Sequence, residues 1–216
     1  MTVSPLDPLP TDAPTGRATV LFADLRGYTR IAEQLSPGLV ATLLEEFFGL
    51  LVPAALEQGG EVFHVAGDGM MAGFGLRDTQ ATGACQALAA ARAMLDRFAP
   101  LARRWTQDLS IQGGLGIGVH LGDIAWGRLG PPHQQFPTLV GDTVNVAARL
   151  CARARAGEVL FSSAVARELE REELAARGEA AAKYASRYLH LPQLELRGRT
   201  APLDIWCVPA AERAHV

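Results

Sequence analysis

Two aspartates, Asp24 and Asp68, stand where carboxylates can do metal chemistry. Asp24 follows the short apolar run Ala18 to Ala23 and precedes Leu25-Arg26-Gly27-Tyr28-Thr29, which leads into a helical pattern. Asp68 lies in Gly67-Asp68-Gly69, at the tip of a predicted hairpin. If the two strands are neighbours in one sheet, both carboxylates converge at one end of it. A divalent cation would relieve their repulsion, and hard oxygen donors suit Mg²⁺ or Mn²⁺. Backbone amides of Arg26, Gly27, Tyr28 and Thr29, at a helix N-terminus, would face the same point and suit a triphosphate. Taken alone, each aspartate reads more naturally as a turn residue or a helix cap. The pair carries more weight.

A second constellation is Thr138-Leu-Val-Gly-Asp-Thr-Val-Asn145-Val-Ala-Ala-Arg149. Asn145 and Arg149 are four residues apart and share a face if the segment is helical. An amide beside a guanidinium can hold a ribose and a phosphate together. Without further context, a capped helix with a solvated arginine explains the same residues.

These groups need a scaffold, and its pattern is readable. Ala18 to Ala23 reads as a buried strand. From Tyr28 to Leu56, apolar residues recur every three to four positions, a helical spacing broken near Ser36-Pro37 and stopped at Gly59-Gly60. Glu61 to Val65 and Met70 to Phe74 are predicted strands, and Thr79 to Trp105 is Ala-rich and helical. Ile111 to Leu121 reads as a strand with glycines where another backbone or a ligand comes close. Leu129 to Gln135 reads as a loop, Pro137 to Val140 as a short strand and Gly141 to Arg155 as a helix. Glu158 to Phe161, Tyr188 to Leu196 and Leu203 to Val208 supply further strands, and Glu168 to Lys183 a helix plus loop. The order predicts an α+β domain with helices around a mostly antiparallel sheet.

The segments FADLRGYT (22–29), VFHVAGDGMMAGFG (62–75), GIGVHLGDIAWG (116–127), TLVGDTVNVAARL (138–150) and LRGRTAPLDIW (196–206) occur in the order seen in class III adenylate and guanylate cyclases. Five ordered motifs make the resemblance specific, and it runs from about residue 17 to 208. It implies the ferredoxin-like, palm-type cyclase fold and closure of a nucleoside triphosphate to its 3′,5′-cyclic monophosphate. By this resemblance Asp24 and Asp68 are the metal aspartates, with the Leu25 carbonyl a further ligand to two Mg²⁺ or Mn²⁺ ions. Asn145 corresponds to the residue that positions the ribose, and Arg149 to the one that stabilises charge on the α-phosphate. Arg199 corresponds to a basic residue holding the terminal phosphates. The family works as a head-to-tail dimer, so a chain carrying both halves implies a homodimer with two composite sites.

Base selection in the family rests on the positions that are His64 and Thr138 here. Adenylate cyclases usually carry lysine, then aspartate or threonine; guanylate cyclases favour glutamate and cysteine. Thr138 suits adenine, because a hydroxyl can accept from its 6-amino group. His64 matches neither set, although an imidazole N–H can still meet the adenine N1 acceptor. ATP is the expected substrate. GTP, UTP or CTP, and a catalytically silent nucleotide-binding domain, stay open as alternatives.

Composition bounds the rest. The 216 residues carry a net charge of −3, with 49% hydrophobic and 20% charged residues, ordinary for a globular protein and without the basic excess of a nucleic-acid binder. No uninterrupted apolar run approaches the ~18 residues of a membrane span. Residues 1–16 are expected to be a flexible lead-in and 209–216 a tail, flanking a catalytic domain over 17–208. Cys85, Cys151 and Cys207 lack metal-ligand spacing and fit a reduced, cytoplasmic compartment. His120, His133 and the three tryptophans are expected in core, loop or interface roles.

Overall fold

The computed structural model describes residues 13–77, 81–131, 133–177, 188–195 and 202–208. In chain order the first elements are β1 (Thr15–Arg26), α1 (Tyr28–Gln34), α2 (Pro37–Glu57), β2 (Glu61–Ala66), β3 (Gly69–Phe74) and α3 (Ala84–Leu109). There follow β4 (Gly114–Leu129), β5 (Phe136–Val140), α4 (Asp142–Arg153), β6 (Val159–Ser162), α5 (Ser163–Arg177), β7 (Leu189–Leu194) and β8 (Leu203–Cys207). The strands form one sheet ordered β2-β3-β1-β4-β6-β8-β7, with β5 paired to β4. Every pairing is antiparallel except β4 with β6.

Alternation along β1 and β4 decides which face each helix covers. Leu21, Ala23 and Leu25 of β1 and Leu115, Ile117, Val119 and Leu121 of β4 point to one face, where they join the main core with α2, α3 and α5. Phe47 of α2 meets Phe98 of α3 edge-on at 5.4 Å, and Phe98 meets Trp105 at 5.7 Å, an arrangement aromatic pairs prefer. The opposite face of β4 carries Gly116, Gly118 and Gly122. A Cβ at Gly118 would lie 2.1 Å from the Cys151 amide nitrogen, and one at Gly122 would lie 2.5 Å from Thr143 Oγ1. Here α4 lies directly on the backbone of β4. Thr143 Oγ1 donates to the Asp123 carbonyl at 2.8 Å and pins the start of the helix.

Helix boundaries follow local chemistry. Ser36 caps α2 by accepting from the Leu39 amide, with Pro37 in the first turn, which explains the break between α1 and α2. Among the described helices α2 alone is long and apolar enough to cross a membrane by length and composition. Glu45 and Glu46 interrupt its apolar run, and Val40, Leu43, Phe47, Leu51, Ala54 and Ala55 are buried in the core.

Several elements differ in extent from their sequence signal. β1 runs to Arg26 and not to Ala23, so Asp24 lies inside a strand, held between β3 and β4. β4 continues to Leu129 because its last five residues pair with β5; the loop after it begins only at Gly130. α3 starts at Ala84, after Gly83 in a left-handed conformation, and α5 starts at Ser163, ahead of the charged stretch. His120 is buried with Nδ1 2.7 Å from Ser162 Oγ. Trp105 is core, Trp126 and Trp206 are half-buried, and His133 lies exposed in the β4–β5 connection. Cys151 and Cys207 are buried free thiols, and Cys85 is a half-buried one.

Candidate active site

Asp24 is two residues from the end of β1, opposite Gly69 of β3 and Gly116 of β4. The tight turn between β2 and β3 folds back on it: the Leu25 amide donates to the Asp68 carbonyl at 2.9 Å. That bond fixes Asp68 beside Asp24. Burial raises the Asp24 pKa above the ordinary carboxylate value; Arg26 opposes the shift, and the like charge of Asp68 adds to it. The carboxylates thus sense each other, as the sequence pattern requires for a shared cation.

Gly27 reverses the chain after β1. Its φ is +86°, and a Cβ there would lie 2.9 Å from the Gln112 carbonyl, so only glycine fits without strain. Tyr28 and Thr29 then begin α1, whereas Arg26 is the last residue of β1. The expectation of one run of helix-end amides from Arg26 to Thr29 is corrected in this respect, because the strand claims Arg26.

The Arg26 side chain goes elsewhere too. It contacts the Asp24 carboxylate through Nη1, donates from Nε to the Ala154 carbonyl at 2.9 Å, and reaches the Cys151 carbonyl through Nη2. Its guanidinium therefore sits between the acid of β1 and the C-terminal end of α4. Cys151, beneath it, is pushed up to about 11, chiefly by burial, and is an unreactive thiol. Sequence reading missed this arrangement; Arg26 and Cys151 are 125 residues apart.

α4 turns Thr143, Val146, Ala147, Leu150 and Cys151 to the sheet. Asn145 is exposed and Arg149 half-buried on its other side. Among the described residues neither side chain has a hydrogen-bond or ion-pair partner, so both are available to a group outside the chain.

His64 is exposed on β2, an edge strand, next to an irregularity in the β2–β3 pairing between Val62 and His64. Thr138 is half-buried on β5 opposite Gly127. Their chain neighbours Phe63 and Leu139 both lean on Gly73, within 3.4 and 3.2 Å of where its Cβ would be. The two positions therefore occupy one corner of the sheet. Arg199 lies outside the described residues.

Among the described residues no three His, Cys, Asp or Glu side chains cluster into a cage. Two neighbouring carboxylates and the Leu25 carbonyl still fit Mg²⁺, which takes one or two carboxylates and completes its shell with phosphate oxygens and water.

The order and pairing of these elements define a class III cyclase catalytic domain. The chain belongs to the adenylate and guanylate cyclase catalytic domain family, whose model matches residues 11–190. An adenylate cyclase of Anabaena cylindrica is 32% identical over 146 residues, covering 64% of this chain and 27% of that protein. An uncharacterised protein of Mycobacterium tuberculosis (strain ATCC 25618 / H37Rv) is 35% identical over 148 residues, 68% of this chain and 26% of that one. The chain thus spans about a quarter of the length of these curated relatives, at 27% and 26%. Among solved structures, the adenylyl cyclase CyaB from P. aeruginosa matches with a TM-score of 0.77 at 26% identity, covering 91% of this chain and 96% of that one. The guanylyl cyclase Cya2 matches at 0.75 and 26%, covering 91% and 93%.

Proposed function

We propose that the chain converts ATP to 3′,5′-cyclic AMP and pyrophosphate, at composite sites of a head-to-tail homodimer. The observation that carries this reading is the pairing of Asp24 with Asp68 at the end of β1, together with an exposed Asn145 and a half-buried Arg149 that have no hydrogen-bond or ion-pair partner among the described residues. A second copy could bring its Asn145 and Arg149 to the first copy's acids. Exposed apolar side chains support such an assembly: Val65 of β2 (44%), Leu129 of β4 (43%), and Phe136 (59%) and Val140 (38%) of β5. Apolar surface of this kind marks an interaction site.

Mg²⁺ or Mn²⁺, held by Asp24, Asp68 and the Leu25 carbonyl, would supply an acidified ribose 3′-hydroxyl and a charge-neutralised triphosphate. The chain's own groups align and stabilise. Asn145 orients the ribose so that its 3′-oxygen lies in line with the departing pyrophosphate. Arg149 provides fixed positive charge where negative charge grows on the α-phosphate. Arg199 contacts the terminal phosphates, and the amides of Gly27, Tyr28 and Thr29 lie near them. Thr138 Oγ1 accepts from the adenine 6-amino group and His64 donates to N1.

One observation favours a second reading. His64 is exposed and without a hydrogen-bond partner among the described residues, so its ring can donate or accept, and another triphosphate such as GTP, UTP or CTP could be taken. Incubation with each triphosphate and Mn²⁺, with products identified by mass, separates these readings. Cyclic AMP formed well above the other products is expected. A dominant cyclic GMP, UMP or CMP would replace the substrate, and no cyclic product at all would leave a silent nucleotide-binding domain.

A further inference from the structure

We propose that Arg26 is a positioning residue that couples cation binding at Asp24 to the placement of α4, the helix carrying Asn145 and Arg149. The proposal rests on the reading of Asp24 as a cation ligand and adds to it a role for the side chain of a residue whose backbone amide alone is expected near a triphosphate.

Three observations carry it. First, the guanidinium spends its donors on two different elements: Nη1 on the Asp24 carboxylate, Nε on the Ala154 carbonyl, and Nη2 on the Cys151 carbonyl with the Cys151 sulfur 3.7 Å away. Second, those carbonyls lie at the C-terminal end of α4, Ala154 as its C-cap and Cys151 already accepting from the Ala154 amide at 3.0 Å, where the helix dipole favours a cation. Arg26 therefore closes that end of the helix. Third, the sheet is hollowed for it. A Cβ at Gly116 would lie 2.5 Å from both Nε and Nη2 of Arg26, so any larger residue there would expel the guanidinium.

The consequence is an exchange of partners. A cation arriving at Asp24 competes with Nη1 for the same carboxylate, whereas the bonds to Cys151 and Ala154 need not break. α4 is already seated on the β4 backbone at Gly118, so a small shift of Arg26 is transmitted to a rigid helix. Without Arg26, the cation would face less competition and the helix would lose the tie at its end.

The test compares the parent with Arg26→Met, Arg26→Lys and Asp24→Asn, using Mn²⁺ alone titrated by electron paramagnetic resonance, then steady-state turnover. For Arg26→Met, Mn²⁺ is expected to bind about tenfold tighter, because a neighbouring positive charge is gone. Its kcat is expected to fall about tenfold or more with KM little changed, since a displaced Arg149 acts on the transition state. Arg26→Lys should restore part of kcat and weaken Mn²⁺ binding towards the parent value. Parental Mn²⁺ affinity and parental kcat in Arg26→Met would overturn the coupling. Loss of Mn²⁺ binding in Asp24→Asn would leave the cation reading standing in that event; retention would sink the cation reading itself. Should Arg26→Met not fold, Gly116→Ala displaces the same guanidinium without removing it. Tighter Mn²⁺ binding with lower kcat in that variant supports the coupling, and parental values of both overturn it.

Discussion

The Leu25 amide donates to the Asp68 carbonyl at 2.9 Å, and this one backbone bond joins the tip of the β2–β3 hairpin to the strand that carries Asp24. Two acids separated by more than forty residues become neighbours without any side-chain contact holding them. Their closeness costs something, since burial and the charge of Asp68 both lift the Asp24 pKa. Perturbation of this kind clusters at functional sites, and the proposed cation would relieve it.

Asp24→Asn should therefore stabilise the cation-free fold while removing turnover. The sign follows from linkage. A folded pKa raised above the unfolded one means stability from this group is full at low pH and lost as pH rises through the raised value. Asparagine has no charge to lose, so the variant's advantage should appear at neutral pH and shrink in acid. Urea unfolding in EDTA across pH checks it; a variant less stable than the parent at neutral pH would contradict it.

Asp68→Asn should lower the pKa of Asp24, because one of the causes raising it is removed. Carboxyl carbon NMR in the absence of divalent cations reads this directly. Turnover should fall roughly 10³-fold if several kcal/mol of cation-borne stabilisation disappear with the ligand. An unmoved Asp24 titration would mean the two carboxylates are independent.

Much of this was legible in the sequence, and the limits have physical causes. The hairpin around Asp68 and the break at Ser36-Pro37 carry local turn and cap signals, and both stand in the structure. The glycines of β4 announced a close backbone approach, and α4 supplies it. The extent of β1 and β4 was not legible, because strand ends here are set by partners far along the chain, and β5 alone extends β4 to Leu129. Arg26 reads only as one backbone amide in the run to Thr29. Its real partners at Cys151 and Ala154 leave no trace in local sequence.

Gly118→Ala tests the seat of α4. The added methyl would meet the Cys151 nitrogen at 2.1 Å, and backbone cannot move aside as a flexible side chain does. Overpacking of this sort costs about 1–3 kcal/mol, so the urea midpoint should drop, and kcat should drop with it as α4 lifts. A variant with parental stability and activity would show that the helix position is soft.

At the base corner, His64→Lys should raise the kcat/KM for ATP relative to GTP by about tenfold, the worth of one charge-assisted hydrogen bond. His64→Glu should move the preference towards GTP. Competition assays with both triphosphates present give the ratio directly, and an unchanged ratio in both variants would remove His64 from base recognition.

Mixing separately inactive Asp68→Ala and Arg149→Ala chains, with subunit exchange confirmed, bears most directly on the two-chain site. In an equal mixture about half the dimers are mixed, and each has one of its two sites whole, so about a quarter of parental sites should return. Activity near that fraction is the expected result. Activity no higher than that of either variant alone would contradict a site shared between subunits.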